Sequence, residues 1–311
     1  MRYSGIGGQA VMEGVMMQNR DKYAVAVRLP DGEIRIKKHD MRPVAEWILK
    51  VPLVRGVFAF IQSLVMGMGS LMESAEYFED EEEQKKKREA SEEEKKKIEK
   101  REKAELSGTL VLSFVIALAL FLALPYGLSK LCERFIESAA VIALIEGIIR
   151  VIIFLVYLIA ISKTEDIKRV FMYHGAEHKC INCIESGLEL NVENVRKSTR
   201  FHKRCGTSFL FVVLLISILV FMFIRVDSRL LQFGLRILLV PVIAGISYEF
   251  IRLAGRSENK FVNLLSQPGL WLQRITTSEP DDEMIEVGIA SVEAVFDWKS
   301  WQESGEDKCC S

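Results

Sequence analysis

The stretch "SAAVIALIEGIIRVIIFLVYLIAI", residues 138–161, carries only two charged side chains, Glu146 and Arg150. At 1.5 Å per residue a helix of this length crosses the ~30 Å hydrocarbon core of a bilayer. Either charge left alone in lipid costs at least ~2.5 kcal/mol on insertion scales. The two lie four apart, on one helix face, so they are expected to pair or to face a bundle interior. Two readings stand for them: a polar seam for a substrate, proton or ion, or an ion pair that locks helix packing.

Three further runs have the same character, at 107–128, 207–225 and 229–251. Lys- and Arg-rich stretches precede the first run, fill 163–204 and follow the fourth in "RLAGRSENK", whereas "SKLCERFIES" and "RVDSR" carry fewer positive charges. The positive-inside rule then places both termini and the 162–206 loop in the cytoplasm. The expected fold is mainly α: a polytopic helical membrane protein with about four transmembrane helices, a small N-terminal β-hairpin element and cytoplasmic helices. Composition agrees. Half of the 311 residues are hydrophobic and 27% are charged, and the two classes occur in separate blocks. A net charge of −1 gives no electrostatic case for nucleic-acid binding. The opening "MRYSGIGGQAVMEGVMMQ" lacks a basic region followed by an apolar core, so the spans are expected to be internal and retained, in the plasma membrane.

The soluble parts divide at 1–43, 44–76, 77–106, 162–206 and 252–311, with helices 1–2 in 107–161 and helices 3–4 in 207–251. "YAVAVRLPDGEIRIKKHD" alternates apolar and polar residues about "PDG" and reads as a β-hairpin. The preceding "GIGGQAVMEGVM" lacks the ending of a phosphate-binding loop and reads as a tight backbone turn beside it. In 44–76, Val54, Val57, Phe58, Ile61, Leu64, Val65, Met68, Leu71 and Met72 recur at three- and four-residue steps. That pattern predicts a helix lying on the membrane or docked on other helices, with Arg55 arguing against a span. The 77–106 segment alternates Glu and Lys blocks; it buries nothing and reads as a charged linker or as a solvated helix held by i,i+4 pairs. A C-terminal helix is expected from near Pro280, with acids in its first turn.

"YHGAEHKCINC", residues 173–183, holds two of the four histidines. On a helix His174 and His178 share a face and can coordinate one zinc or other divalent ion. Glu177, next to that face, can accept a proton from an activated water. The order H-x-x-E-H is that of the inverted zinc-peptidase motif, where a distant carboxylate completes the site. Before the third run, "FHKRCGTSF" adds His202 and Cys205, and Glu249 at the end of the fourth is the candidate remote ligand. Six cysteines (132, 180, 183, 205, 309 and 310) show no disulfide framework. Cys180, Cys183, His202 and Cys205 have a spacing that a closed structural zinc site would accept. Histidines that merely hydrogen-bond at a loop–membrane junction are the remaining reading.

Together, "GGQAVMEGVMMQ" at 7–18, "RGV" at 55–57, "EGIIR" at 146–150, "YHGAEHK" at 173–179, "RCGTSF" at 204–209, "SYE" at 247–249 and "TTSEPDDEMIEV" at 276–287 resemble the YqhQ-like family of bacterial membrane proteins, a family of unknown function. The resemblance covers nearly the whole chain. It implies a multi-pass membrane protein of a kind described as a predicted metal-dependent enzyme, and it supplies no substrate.

The residues support three functional classes. The first is a metal-dependent hydrolase acting on a membrane-associated substrate (a membrane protein, peptide or lipid headgroup), with His174 and His178 as ligands, His202, Cys205 or Glu249 completing them, and Glu177 as base. The second is a docking factor for membrane-protein insertion or another membrane complex, with any metal structural. The third is a small transporter using Glu146 and Arg150, which would need a homo-oligomer.

Overall fold

The computed structural model describes residues 2–304, apart from 42, 79–90, 225, 227 and 258. Cys309 and Cys310 lie outside the described residues, as do residues 79–90 of the charged 77–106 segment.

The N-terminal element is larger than one hairpin. Strands β1 (Gly7–Val11), β2 (Gly14–Asn19), β3 (Lys22–Arg28) and β4 (Ile34–Asp40) form an antiparallel sheet in the order β1-β2-β3-β4. The β3–β4 hairpin turns at "PDG" as expected, with Gly32 at positive φ. The glycine-rich stretch is not a turn but the β1–β2 hairpin. Gly14 is required there because a Cβ would come within 3.0 Å of the Val27 side chain on the paired strand and would strike its backbone. Side chains alternate between two buried faces. Val15, Met17 and Ala26 enter one core, whereas Val11, Met16, Val25 and Val27 enter another with Met66, Tyr77 and Phe78.

Helices α1 (Glu46–Lys50) and α2 (Val54–Glu76) follow. Next come α3 (Glu92–Leu118), a π-helical turn (Ala119–Ala123) and α4 (Leu124–Cys132). The charged residues before the first apolar run are helical from Glu92. Ser91 and Glu94 form a capping box there, and Arg101 pairs with Glu105 one turn on. The chain continues through α5 (Ala139–Ile161), α6 (Glu165–Glu185), α7 (Val192–Lys197), α8 (Gly206–Met222), α9 (Arg229–Arg256), α10 (Lys260–Thr276), α11 (Asp282–Val295) and α12 (Trp298–Glu303). Asp281 caps α11, accepting from Met284 N–H at 2.8 Å, close to the start expected near Pro280.

Four helical stretches among the described residues are long and apolar enough to cross a membrane: Val54–Glu76, Ser107–Cys132, Ala140–Ile161 and Leu230–Gly255. Their apolarity marks a membrane-associated protein. The set differs from the sequence expectation in one member. The third run forms the shorter apolar helix Gly206–Met222, ending three residues before the expected 225, and α2 meets the criterion instead. Helices α5, α8 and α10 share an apolar seam of Leu158, Phe211 and Leu272. The start of α2 docks on α9, where Gly56 faces Gly245 and Tyr248 without room for a Cβ. The end of α2 packs on the sheet.

The two charges of the 138–161 run pair, as their four-residue spacing allows. Glu146 accepts from both Arg150 and Arg236, and Arg150 also donates to Ser217 Oγ at 3.1 Å and to Phe121 O at 3.0 Å. Arg236, which the helix pattern alone did not single out, completes the group; all three side chains are buried.

Candidate functional site

Helix α6 carries the H-x-x-E-H run. Its inner face packs on α11 and the sheet through Tyr173, Ala176, Cys180, Ile181 and Ile184. Gly175, which lowers helix propensity, is there because the 277–280 segment crosses directly over it: a Cβ would run into Ser278 O. This crossing also brings Thr276 O against the motif.

His174, His178 and Cys205 converge, with one ligand atom from each lying within 4.8 Å of the others. Cys205 Sγ is 3.3 Å from His174 Nε2. His174 Nδ1–H donates to Thr276 O at 2.9 Å, and His178 Nδ1–H donates to Arg200 O at 2.6 Å. A carbonyl can only accept, so both rings carry their proton on Nδ1 when neutral and leave Nε2 free. This is the outer-shell arrangement that orients metal-ligating imidazoles. Cys205 is the N-cap of α8, where the helix terminus favours a thiolate. Burial would raise the Cys205 thiol, but His174 and His178 beside it hold it well below the ordinary range. Burial likewise opposes a charge on His174, yet the Cys205 sulfur lifts it to about 9. His174 would give up its second proton to zinc; the thiolate and the two oriented imidazoles would then fit the ion, leaving a fourth position for solvent or substrate.

Glu177 is 3% exposed. Its carboxylate lines a cavity of about 370 Å³, with His178 Nε2 3.5 Å away. The cavity is walled by the Gly5–Gln9 backbone, by Ala59, Phe60 and Ser63 of α2, and by Phe209, Tyr248 and Ile251 at the facing ends of α8 and α9. It therefore lies where the sheet meets the apolar helices.

Two expected ligands go elsewhere. The His202 ring lies beside His178 and lines the same cavity, but its Nε2 faces Arg204 at 3.2 Å and Glu185 at 3.7 Å instead of the other ligand atoms. Burial and the neighbouring Arg204 keep its pKa below the ordinary value. Glu249 is held bidentate by Arg55, with Nε to Oε1 at 2.6 Å, and is not among the cavity-lining residues. The closed zinc clip is also not formed. Cys180 lies about 200° around the helix from His178, in the apolar core beside Gly288, while Cys183 Sγ contacts Glu189 O at 3.4 Å.

Sequence reasoning missed the Glu185 cluster at the cavity edge. Glu185 accepts from Ser4 N–H at 2.9 Å and Ser4 Oγ–H at 2.8 Å, and it pairs with Arg204. Arg204 in turn stacks on Tyr3, 4.0 Å from the ring centre. The network ties the N-terminal strand to α6 and to the segment before α8. The missed signal was Glu185 itself, a charge on the buried side of an amphipathic helix.

The chain is 36% identical over 296 residues to an uncharacterised protein of Bacillus subtilis (strain 168) named YqhQ, covering 92% of this chain and 90% of the relative. No solved structure matches. Neither the relative's name nor the family description attaches a reaction. Residues 51–298 match the family described as "Protein of unknown function (DUF1385)", and the chain belongs to that family.

Proposed function

We propose that this protein is a metal-dependent hydrolase at the cytoplasmic face of the plasma membrane, acting on a membrane-associated substrate. The observation that carries the reading is the convergence of His174, His178 and Cys205 beside a buried carboxylate at a cavity. A zinc ion held by these three residues supplies a Lewis acid. The chain's own groups do the rest. Thr276 O and Arg200 O fix the two rings, and Glu177 takes the proton of the attacking water and returns it to the leaving group. Phe60, Phe209 and Ile251 give the cavity apolar walls on one side. The cytoplasmic placement, with both termini on that side, follows from the basic flanks of the apolar helices.

Metal content measured by mass spectrometry on detergent-purified protein tests the reading. Wild type and Glu177→Gln are expected to hold about one zinc per chain, and the His174→Ala/His178→Ala double variant almost none. Wild type free of any stoichiometric divalent metal after purification from zinc-supplemented cells would sink it. The 3.3 Å contact of Cys205 with His174 supports a second reading, in which the thiolate attacks a carbonyl and His174 protonates the leaving group. Chelation separates the two: it abolishes hydrolysis in the first reading and spares it in the second.

A further inference from the structure

We propose that the cavity accepts an extended polypeptide, docked as an added strand along the free edge of β1 so that its backbone passes Glu177. Only the cleavage of that chain rests on the hydrolytic reading above; the docking needs no metal.

Strand β1 is the edge of the described sheet, hydrogen-bonded to β2 on one side. Edge strands bind peptides by main-chain hydrogen bonds, with pockets for alternate side chains. Three residues of β1, Gly7, Gly8 and Gln9, line the cavity, with Gly5 and Ile6 just before the strand beside them; the three span roughly 7 Å. The backbone is bare where it matters. Gly7 is exposed, and a Cβ there would meet nothing within 4 Å, so the fold itself does not call for glycine at 7. A glycine where the fold leaves open space keeps the backbone at the strand start bare for another chain to approach. Next to it, a Cβ on Gly8 would lie 2.8 Å from Glu177 Cγ, so the strand runs directly against the candidate base.

The surrounding walls suit a chain of alternating side chains. Phe60, Phe209, Tyr248 and Ile251 offer apolar surface, while Gln18 and Ser63 offer polar groups. Gln9 Nε2 donates to Ser63 O and Oγ at 3.2 and 3.0 Å and fixes α2 as the far wall. An anionic lipid headgroup fits less well. Arg20 and Arg204 both line the cavity, but Arg204 is committed to Glu185, and the buried Glu177 carboxylate opposes an anion placed beside it. Phe209 of α8 and Tyr248 and Ile251 of α9 bring the cavity to the ends of two apolar helices, which favours a segment next to a membrane anchor.

Hydrogen exchange on the full chain in dodecyl maltoside tests this, using Glu177→Gln to stop turnover. The probe is a library of unstructured decapeptides. Slowed exchange at Gly7–Val11 is expected with the library and not with phosphatidylglycerol micelles. A backbone N-methylated library should bind about tenfold more weakly, because it cannot pair with the edge. Gly7→Val should remove the protection while β2 and β3 exchange as before; the N-methylated arm keeps the test valid should that variant fold poorly. Protection of β1 by phosphatidylglycerol alone, equal binding of both libraries, or no protection by peptides overturns the proposal. Protection by peptides in a protein that holds no metal would instead leave the docking standing and remove the hydrolytic reading.

Discussion

Single residues at the cavity carry charges that the surroundings decide. Burial alone would raise the Glu185 carboxyl, but the His202 ring, Arg204 and Ser4 N–H prevail and lower it to about 2. A carboxylate depressed in the folded state stabilises the protein above its unfolded pKa, and that contribution fades as pH falls from the ordinary range through 2. It is of order 3 kcal/mol near neutrality. Glu185→Gln should therefore lower the melting temperature at pH 7, and the gap to wild type should narrow steadily below pH 4.5; thermal unfolding across that range measures it. Gly175 makes a steric counterpart. Gly175→Ala drives a methyl into Ser278 O and should cost about 1–3 kcal/mol, seen as a lower denaturant midpoint at unchanged slope. The candidate residues that converge at 174, 178 and 205 were legible, the first two from helical spacing and the third from its residue type. Their orienting acceptors were not: Thr276 and Arg200 act through backbone carbonyls, which every residue owns. Glu249 and Arg55 are 194 residues apart, and nothing in either segment announces the partner that draws the carboxylate away.

Among the elements, α2 shows why hydropathy does not settle topology. Its length and composition qualify it to cross a bilayer. Yet its last turns are occupied by the sheet, with Ser74 Oγ accepting from Met12 N–H at 3.1 Å and Met66 in the core with Val11 and Met16. Its outward stripe of Ile61, Leu64, Val65, Met68 and Leu71 stays exposed. A helix held to soluble structure at one end and to α9 at the other fits a single leaflet. Cysteines introduced at Glu76 and Leu188 should both react with an impermeant maleimide from the cytoplasmic side, and one at Ser138 from the opposite side, read as labelled peptides by mass spectrometry. Labelling of the 76 position from the side of 138 would instead make α2 a span. The apolar helices were readable because lipid demands some twenty apolar residues in a row. The β1–β2 hairpin was not, because Gly8 and Gly14 answer to Glu177 and Val27, neighbours that only the fold brings near.

At the level of the whole molecule, two arginines share one carboxylate inside the apolar bundle. Removing Glu146 strands both cations, so Glu146→Ala should destabilise by about 3–5 kcal/mol, whereas Arg236→Met, which leaves the Glu146–Arg150 pair intact, should cost less; melting in detergent compares them. The same cluster gives a purpose to the π-helical turn at Ala119–Ala123. That turn offers Phe121 O to Arg150 and sets the rotation at which Tyr126 meets Arg236, 4.9 Å from the ring centre. A π-turn works as a one-residue shim in an α-helix, and each residue turns the helix by about 100°. The rod that begins in charged solvent at Glu92 and ends in the bundle is thus keyed like a lock barrel, its lower half free to vary in length and its upper half not. Deleting one residue from 119–123 should unseat the arginines, while deleting one between 95 and 104 should pass without effect on melting.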